Sequence, residues 1–202
     1  MTDRFQSAAK ASAVALLLVV ATQLFYILVV SNAGGDTPLR PITWLTEVAA
    51  FTFLSVAALV LAARSTAYPF AWGAVAVGSI LNVLQASFGL SMFGPASEAA
   101  DPQVMATVLA GAFFFYFLAK ALYGLAGIGF GLRLLKDGGG PGKAVGGLAI
   151  ATGVGALVLN ILAMSAGHEW LQLAGGAGTA ATAFLALAVL MAPEPRITYE
   201  NA

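Results

Sequence analysis

From Val104 to Leu132 the chain carries one charged side chain, Lys120, in a run that is otherwise apolar, aromatic or small. Such a stretch exceeds the roughly 20 residues that an α-helix needs to cross a bilayer. In hydrocarbon every backbone N–H and C=O must be paired within the protein, and a helix does this by itself. The run therefore dictates a membrane-spanning helix, and the lysine inside it becomes the residue to explain. A lysine near the centre of such a helix costs about 2.5–3.5 kcal/mol on insertion scales, so it calls for a partner or a wet cavity.

Five more apolar runs accompany it, and the six spans lie at about 8–30, 42–63, 69–93, 104–135, 143–165 and 170–191. The first has the flavour of a signal peptide, with Arg4 and Lys10 ahead of it and Ser31-Asn32-Ala33 behind. Its apolar core from Ala13 to Val30 is longer than the 7–15 residues of a signal core, so it reads as a retained span. Turn residues separate the runs: Gly34-Gly35-Asp36 with Pro38 and Pro41, a loop from Gly94 to Pro102 holding Glu98 and Asp101, and a flexible linker from Asp137 to Gly142. A polar tail with Pro193 and Pro195 closes the chain.

With 9% charged and 60% hydrophobic residues, against about 25% charged in soluble proteins, a water-facing surface cannot be built. The expectation is an all-α protein: one domain over residues 1–202, a bundle of six transmembrane helices. Lys and Arg equal Asp and Glu at nine each, so no basic patch points to nucleic acid. The absence of cysteine excludes disulfides, thiolate metal sites and a catalytic thiol, and a lone His168 excludes bis-histidine haem. No cofactor is implied.

Six spans put both termini on one side. Arg4, Lys10, Arg64, Arg133, Lys136, Lys143 and Arg196 fall on that side and Arg40 alone on the other. The positive-inside rule then makes both termini cytoplasmic, in a bacterial-type inner membrane.

Odd-numbered spans end alike. Leu81-Asn82-Val83-Leu84 in span three matches Leu159-Asn160-Ile161-Leu162 in span five, and Phe25-Tyr26-Ile27-Leu28 in span one is a looser version. The pattern suggests three helical hairpins repeated in parallel. It puts Tyr26, Asn82 and Asn160 at one level, about 10 Å below the outer surface at 1.5 Å per residue. Glu47, early in the descending second span, lies about 7 Å down. Lys120 has two registrations. Measured from Val104 it is about 24 Å down, and measured from Arg133 it is about 10 Å from the outer surface. The second is preferred, because it turns the aromatic block 113–117 into an outer interfacial belt and lets Lys120 meet Glu47.

Phe113, Tyr116, Lys120, Tyr123 and Gly127 recur at three- and four-residue steps and share a helix face. Gln23 with Tyr26, and Ser79 with Asn82 and Gln85, form similar stripes. These observations lead to an expected outward-opening pocket bounded by Tyr26, Glu47, Asn82, Gln85, Tyr116, Lys120 and Asn160, taking a small polar or amphipathic molecule. Each has a plainer reading. Glu47 and Lys120 would serve as a structural ion pair, the asparagines as interhelical hydrogen-bonding groups, and His168-Glu169 as a solvated turn. The glycines at 124–131, 142–146 and 175–178 read as close helix packing, not nucleotide loops, since no strand precedes them. Their faces also offer surfaces for a second copy or a membrane partner. No residues form a nucleophile–base set, which leaves enzymatic chemistry little support.

The motifs Arg40…Glu47, Leu81-Asn82-Val83-Leu84, Lys120-x-x-x-Gly124-Leu125, Gly131 and Lys136 resemble those of an uncharacterised family of bacterial six-span membrane proteins, a domain of unknown function. The resemblance implies the fold and brings no activity. It also implies an acidic residue at the Glu47 position and an uncharged polar one at the Lys120 position, so the lysine is a departure. The functional expectation is binding or translocation through the pocket. Its rival is a non-catalytic accessory subunit of a larger membrane complex.

Overall fold

A computed structural model describes residues 2–34, 37–166 and 168–192, with the side chains of residues 2, 3 and 168 left aside. Among the described residues seven helices follow one another: α1 (Thr2–Leu28), α2 (Leu39–Arg64), α3 (Pro69–Ser91), the short α4 (Phe93–Glu98), α5 (Pro102–Asp137), α6 (Gly140–Ala166) and α7 (Leu171–Met191). Single 3-10 turns occupy Val30–Asn32 and His168–Trp170. All except α4 are long and apolar enough to cross a membrane, giving six candidate spans. The protein is thus an all-α, multi-pass bundle. Gly35, Asp36, Gly167, the His168 side chain and the tail with Pro193, Pro195 and Arg196 lie outside the described residues.

Local chemistry sets the ends. Pro102 opens α5 behind an Asp101 cap, whose carboxylate accepts the Gln103 N–H at 2.9 Å. Pro69 opens α3, and in the tight turn before it the Tyr68 N–H donates to Ser65 Oγ at 2.9 Å. Two stretches differ from the sequence reading. The loop from Gly94 to Pro102 contains α4, and the glycine linker shrinks because Gly140, Pro141 and Gly142 already belong to α6. In a first turn proline gives up no hydrogen bond, so the Gly-Pro-Gly sequence does not prevent a helix.

Helix neighbours define the architecture. α1 touches α2 and α7, α2 touches α3, α3 touches α5, and α5 touches α7. These five helices close a ring. α6 stands outside it, in the groove between α5 and α7. The α5–α6 seam is made of glycine. A Cβ added at Gly124 would lie 2.5 Å from the Gly153 carbonyl oxygen, and one at Gly131 would lie 2.6 Å from that of Gly146. Backbone therefore rests on backbone, and the small-residue face expected from the sequence is used within the chain. Outward surfaces carry exposed Val14, Val56, Phe70, Leu132 and Leu173, as hydrocarbon solvent requires. Nearest the Arg64 and Arg133 end the ring is filled by Phe51, Leu54, Trp72, Phe130 and Leu185.

Candidate functional site

The middle of the ring is polar. Lys120, Asn82, Ser79 and Thr182 are 0% exposed, Glu47 is 7% and Gln23 9% exposed. Lys120 Nζ donates to Gln23 Oε1 at 2.9 Å and to Thr182 Oγ1 at 3.5 Å. It also lies 5.4 Å from the Tyr116 ring centroid and 5.8 Å from that of Tyr123, close enough for cation–π attraction. Thr182 donates its own proton to the Gly178 carbonyl at 2.7 Å, which leaves its lone pairs for the lysine. Gln23 Oε1 accepts a second bond, from Thr179 Oγ1 at 3.1 Å. Space for the lysine stem comes from Gly178, where a Cβ would lie 2.8 Å from Lys120 Cβ.

Consecutive residues on a helix point about 100° apart, and α1 uses this. Gln23 turns to α5 and α7 while Thr22 turns to α2, donating to Glu47 Oε1 at 3.1 Å. Glu47 and Lys120 are within electrostatic reach, yet the ion pair formed among the described residues is Arg133 with Asp137, at another level. The two buried charges share an interior without touching. Each is held by a neutral partner from α1.

Asn82 joins this interior from α3. Its Nδ2 donates to the Gly78 carbonyl at 3.1 Å, and its buried Oδ1 accepts nothing among the described residues. Beside it the Tyr123 hydroxyl bonds Ser79 Oγ at 2.8 Å. Asn160 does not join. It lies on α6, outside the ring, and its Nδ2 donates to the Ala156 carbonyl at 2.8 Å and to the Ala174 carbonyl of α7 at 3.2 Å. The sequence repeat is echoed in that shared bond to the residue four back, while helix order sends the two asparagines to different places. Tyr26 stacks on Trp44 with ring centroids 6.0 Å apart. Gln85 is partly buried, nearer the Ser91 end of α3 than Asn82.

The aromatic block packs at the end of the bundle formed by the last turns of α3 and the start of α7. Phe113, Tyr116 and Phe117 cluster with Trp170 and Leu171 at the start of α7, and Phe88 meets Phe115 near the end of α3. Lys120 follows one turn deeper. In this conformation the polar layer is buried, and the aromatic cluster packs beside it against α6 and α7. Sequence reasoning also left Thr22, Thr179 and Thr182 out of the site and gave Gln23 only a stripe. The available signal was two threonines three residues apart in the glycine-rich part of α7, together with Gln23 inside the apolar run of α1. Among the described residues no three His, Cys, Asp or Glu side chains come together as a metal site would need. Compared with protein families, curated proteins and solved structures, the chain matches none, so the family resemblance rests on its short motifs.

Proposed function

We propose that the protein binds, and by alternating exposure moves, a small polar or amphipathic molecule through the interior of the five-helix ring. The carrying observation is that Lys120 and Glu47 are both buried there and unpaired with each other. Desolvating each charge costs several kcal/mol, and a structural ion pair recovers that by closing. This one stays open. Lys120 has three N–H donors and two named acceptors, and Asn82 Oδ1 finds no donor among the described residues. A ligand with its own donor and acceptor groups would use that spare capacity in exchange for the α1 partners. The basic residues gathered at the Arg64 and Arg133 end support cytoplasmic termini in a bacterial inner membrane.

The test is a thermal-shift screen of small polar and amphipathic metabolites on the purified protein and on Lys120→Met. A binder raises the wild-type midpoint and leaves that of Lys120→Met unmoved. A compound that shifts both equally would count against the ring interior as its site. The burial of the layer favours a second reading, an accessory subunit of a larger membrane complex. A screen with no wild-type response, together with unaltered folding of Lys120→Met, would favour that one.

A further inference from the structure

A second feature lies at the basic end, away from the Lys120 layer. There a cavity of about 50 Å³ opens between α1, α3, α5 and α7, lined by Gln6, Lys10, Tyr68, Trp72, Phe130 and Val189 among others. One ordered water needs roughly 10–15 Å³ of such space, so a group larger than water fits. Tyr68 and Trp72 are 5% and 1% exposed, yet neither the Tyr68 O–H nor the Trp72 Nε1–H finds an acceptor among the described residues. Leaving buried donors unmet is costly, and native structures rarely do so without a reason. Phe130 fixes both rings, stacked on Tyr68 at 4.5 Å and edge-on to Trp72 at 5.2 Å.

Donors predominate in the lining, with the Gln6 amide beside them. Trp72 supplies an N–H and Lys10, exposed at the rim, an ammonium group. The Arg133 guanidinium, ion-paired with Asp137, stands beside the Tyr68 phenol. Burial, opposed by Arg133 and reinforced by Asp137, pushes that phenol up to about 12. Its O–H stays a donor throughout the physiological range. Donors and positive charge call for an oxyanion. The apolar remainder, Phe130 and Val189 with exposed Leu190 at the rim, calls for a chain attached to it.

We propose that this cavity binds a phosphate group, with Trp72 and Tyr68 donating to its oxygens and Lys10 neutralising its charge. An anionic phospholipid headgroup is the favoured source, because the cavity sits among basic residues at a helix-bundle end, where such lipids are held.

The experiment is a titration of the purified full chain in detergent with phosphatidylglycerol, phosphatidylcholine or inorganic phosphate, read by the thermal midpoint and by tryptophan fluorescence. The expected result is saturable stabilisation by phosphatidylglycerol and little by phosphatidylcholine. Tyr68→Phe and Trp72→Phe should each weaken it roughly tenfold, the loss of one hydrogen bond to a charged group. Tyr68→Phe keeps its ring and removes an unmet donor, so that lipid-free variant should melt no lower than wild type, whereas Trp72→Phe also gives up buried indole volume and should melt lower. That second readout separates lost binding from lost folding. Equal stabilisation by the two lipids, or an undiminished response in both variants, overturns the proposal. Saturation by inorganic phosphate at comparable concentration retains the oxyanion site and overturns the lipid as its source.

Discussion

At the scale of single residues, Lys120 and Gln23 should not be equivalent losses. Removing Gln23 as Leu leaves an ammonium group buried with Thr182 as its remaining acceptor, and a hydrogen bond to a charged group contributes about 1.5–3 kcal/mol. Replacing Lys120 by Met deletes the buried charge at nearly the same volume, and Gln23 Oε1 keeps its bond from Thr179. Gln23→Leu is therefore expected to lower stability by about 2 kcal/mol in wild type and by much less on the Lys120→Met background. A double-mutant cycle in detergent unfolding measures this, and additive effects would contradict the bond. Gly178→Ala belongs to the same group: its methyl would press on the lysine stem and should cost about 1–3 kcal/mol. The lysine's burial was legible in the sequence, since a charge in an apolar run has to be accommodated. Its partners were not, because the period of one helix does not say which other helix it will face.

The elements tell a similar story. Span positions could be read from hydropathy because each helix satisfies its own backbone, whatever surrounds it. The glycines of α5 and α6 announced close approach, and the seam between Gly124 and Gly153 delivers it at backbone distance. What the sequence could not convey is that α6 stands outside the ring, so Asn160 reads like Asn82 and ends elsewhere. Gly124→Ala or Gly153→Ala would force a methyl onto a carbonyl oxygen 2.5 Å away. Each should destabilise the bundle by about 1–3 kcal/mol. Gly155→Ala on α6 meets open space and should be neutral or stabilising by up to about 1 kcal/mol. Thermal unfolding of the three variants compares them directly, and equal effects would mean that the seam is not as tight as described.

On the scale of the whole molecule, the buried interior and the positions of the charges make a labelling prediction. The natural chain has no cysteine, so single cysteines report without background. Cysteine in place of buried Asn82 should resist an impermeant thiol reagent in the resting protein. In place of exposed Glu98 it should react from one side of the membrane, and in place of exposed Lys143 from the other. Reaction of Glu98→Cys and Lys143→Cys from the same face would refute the six-span topology. Ligand-dependent reaction of Asn82→Cys would be the direct sign of alternating exposure.

The closing of the ring by α7 also has a consequence for synthesis. Lys120 finds one acceptor 97 residues earlier in the chain and another 62 residues later. When α5 leaves the ribosome, Gln23 is already in the membrane and Thr182 has not been made. The nascent protein must carry a half-satisfied ammonium through the translocon until its last helix arrives. A chain stopped after α6 should then be cleared rapidly by membrane proteases, and Lys120→Met should lengthen its lifetime in a pulse–chase measurement.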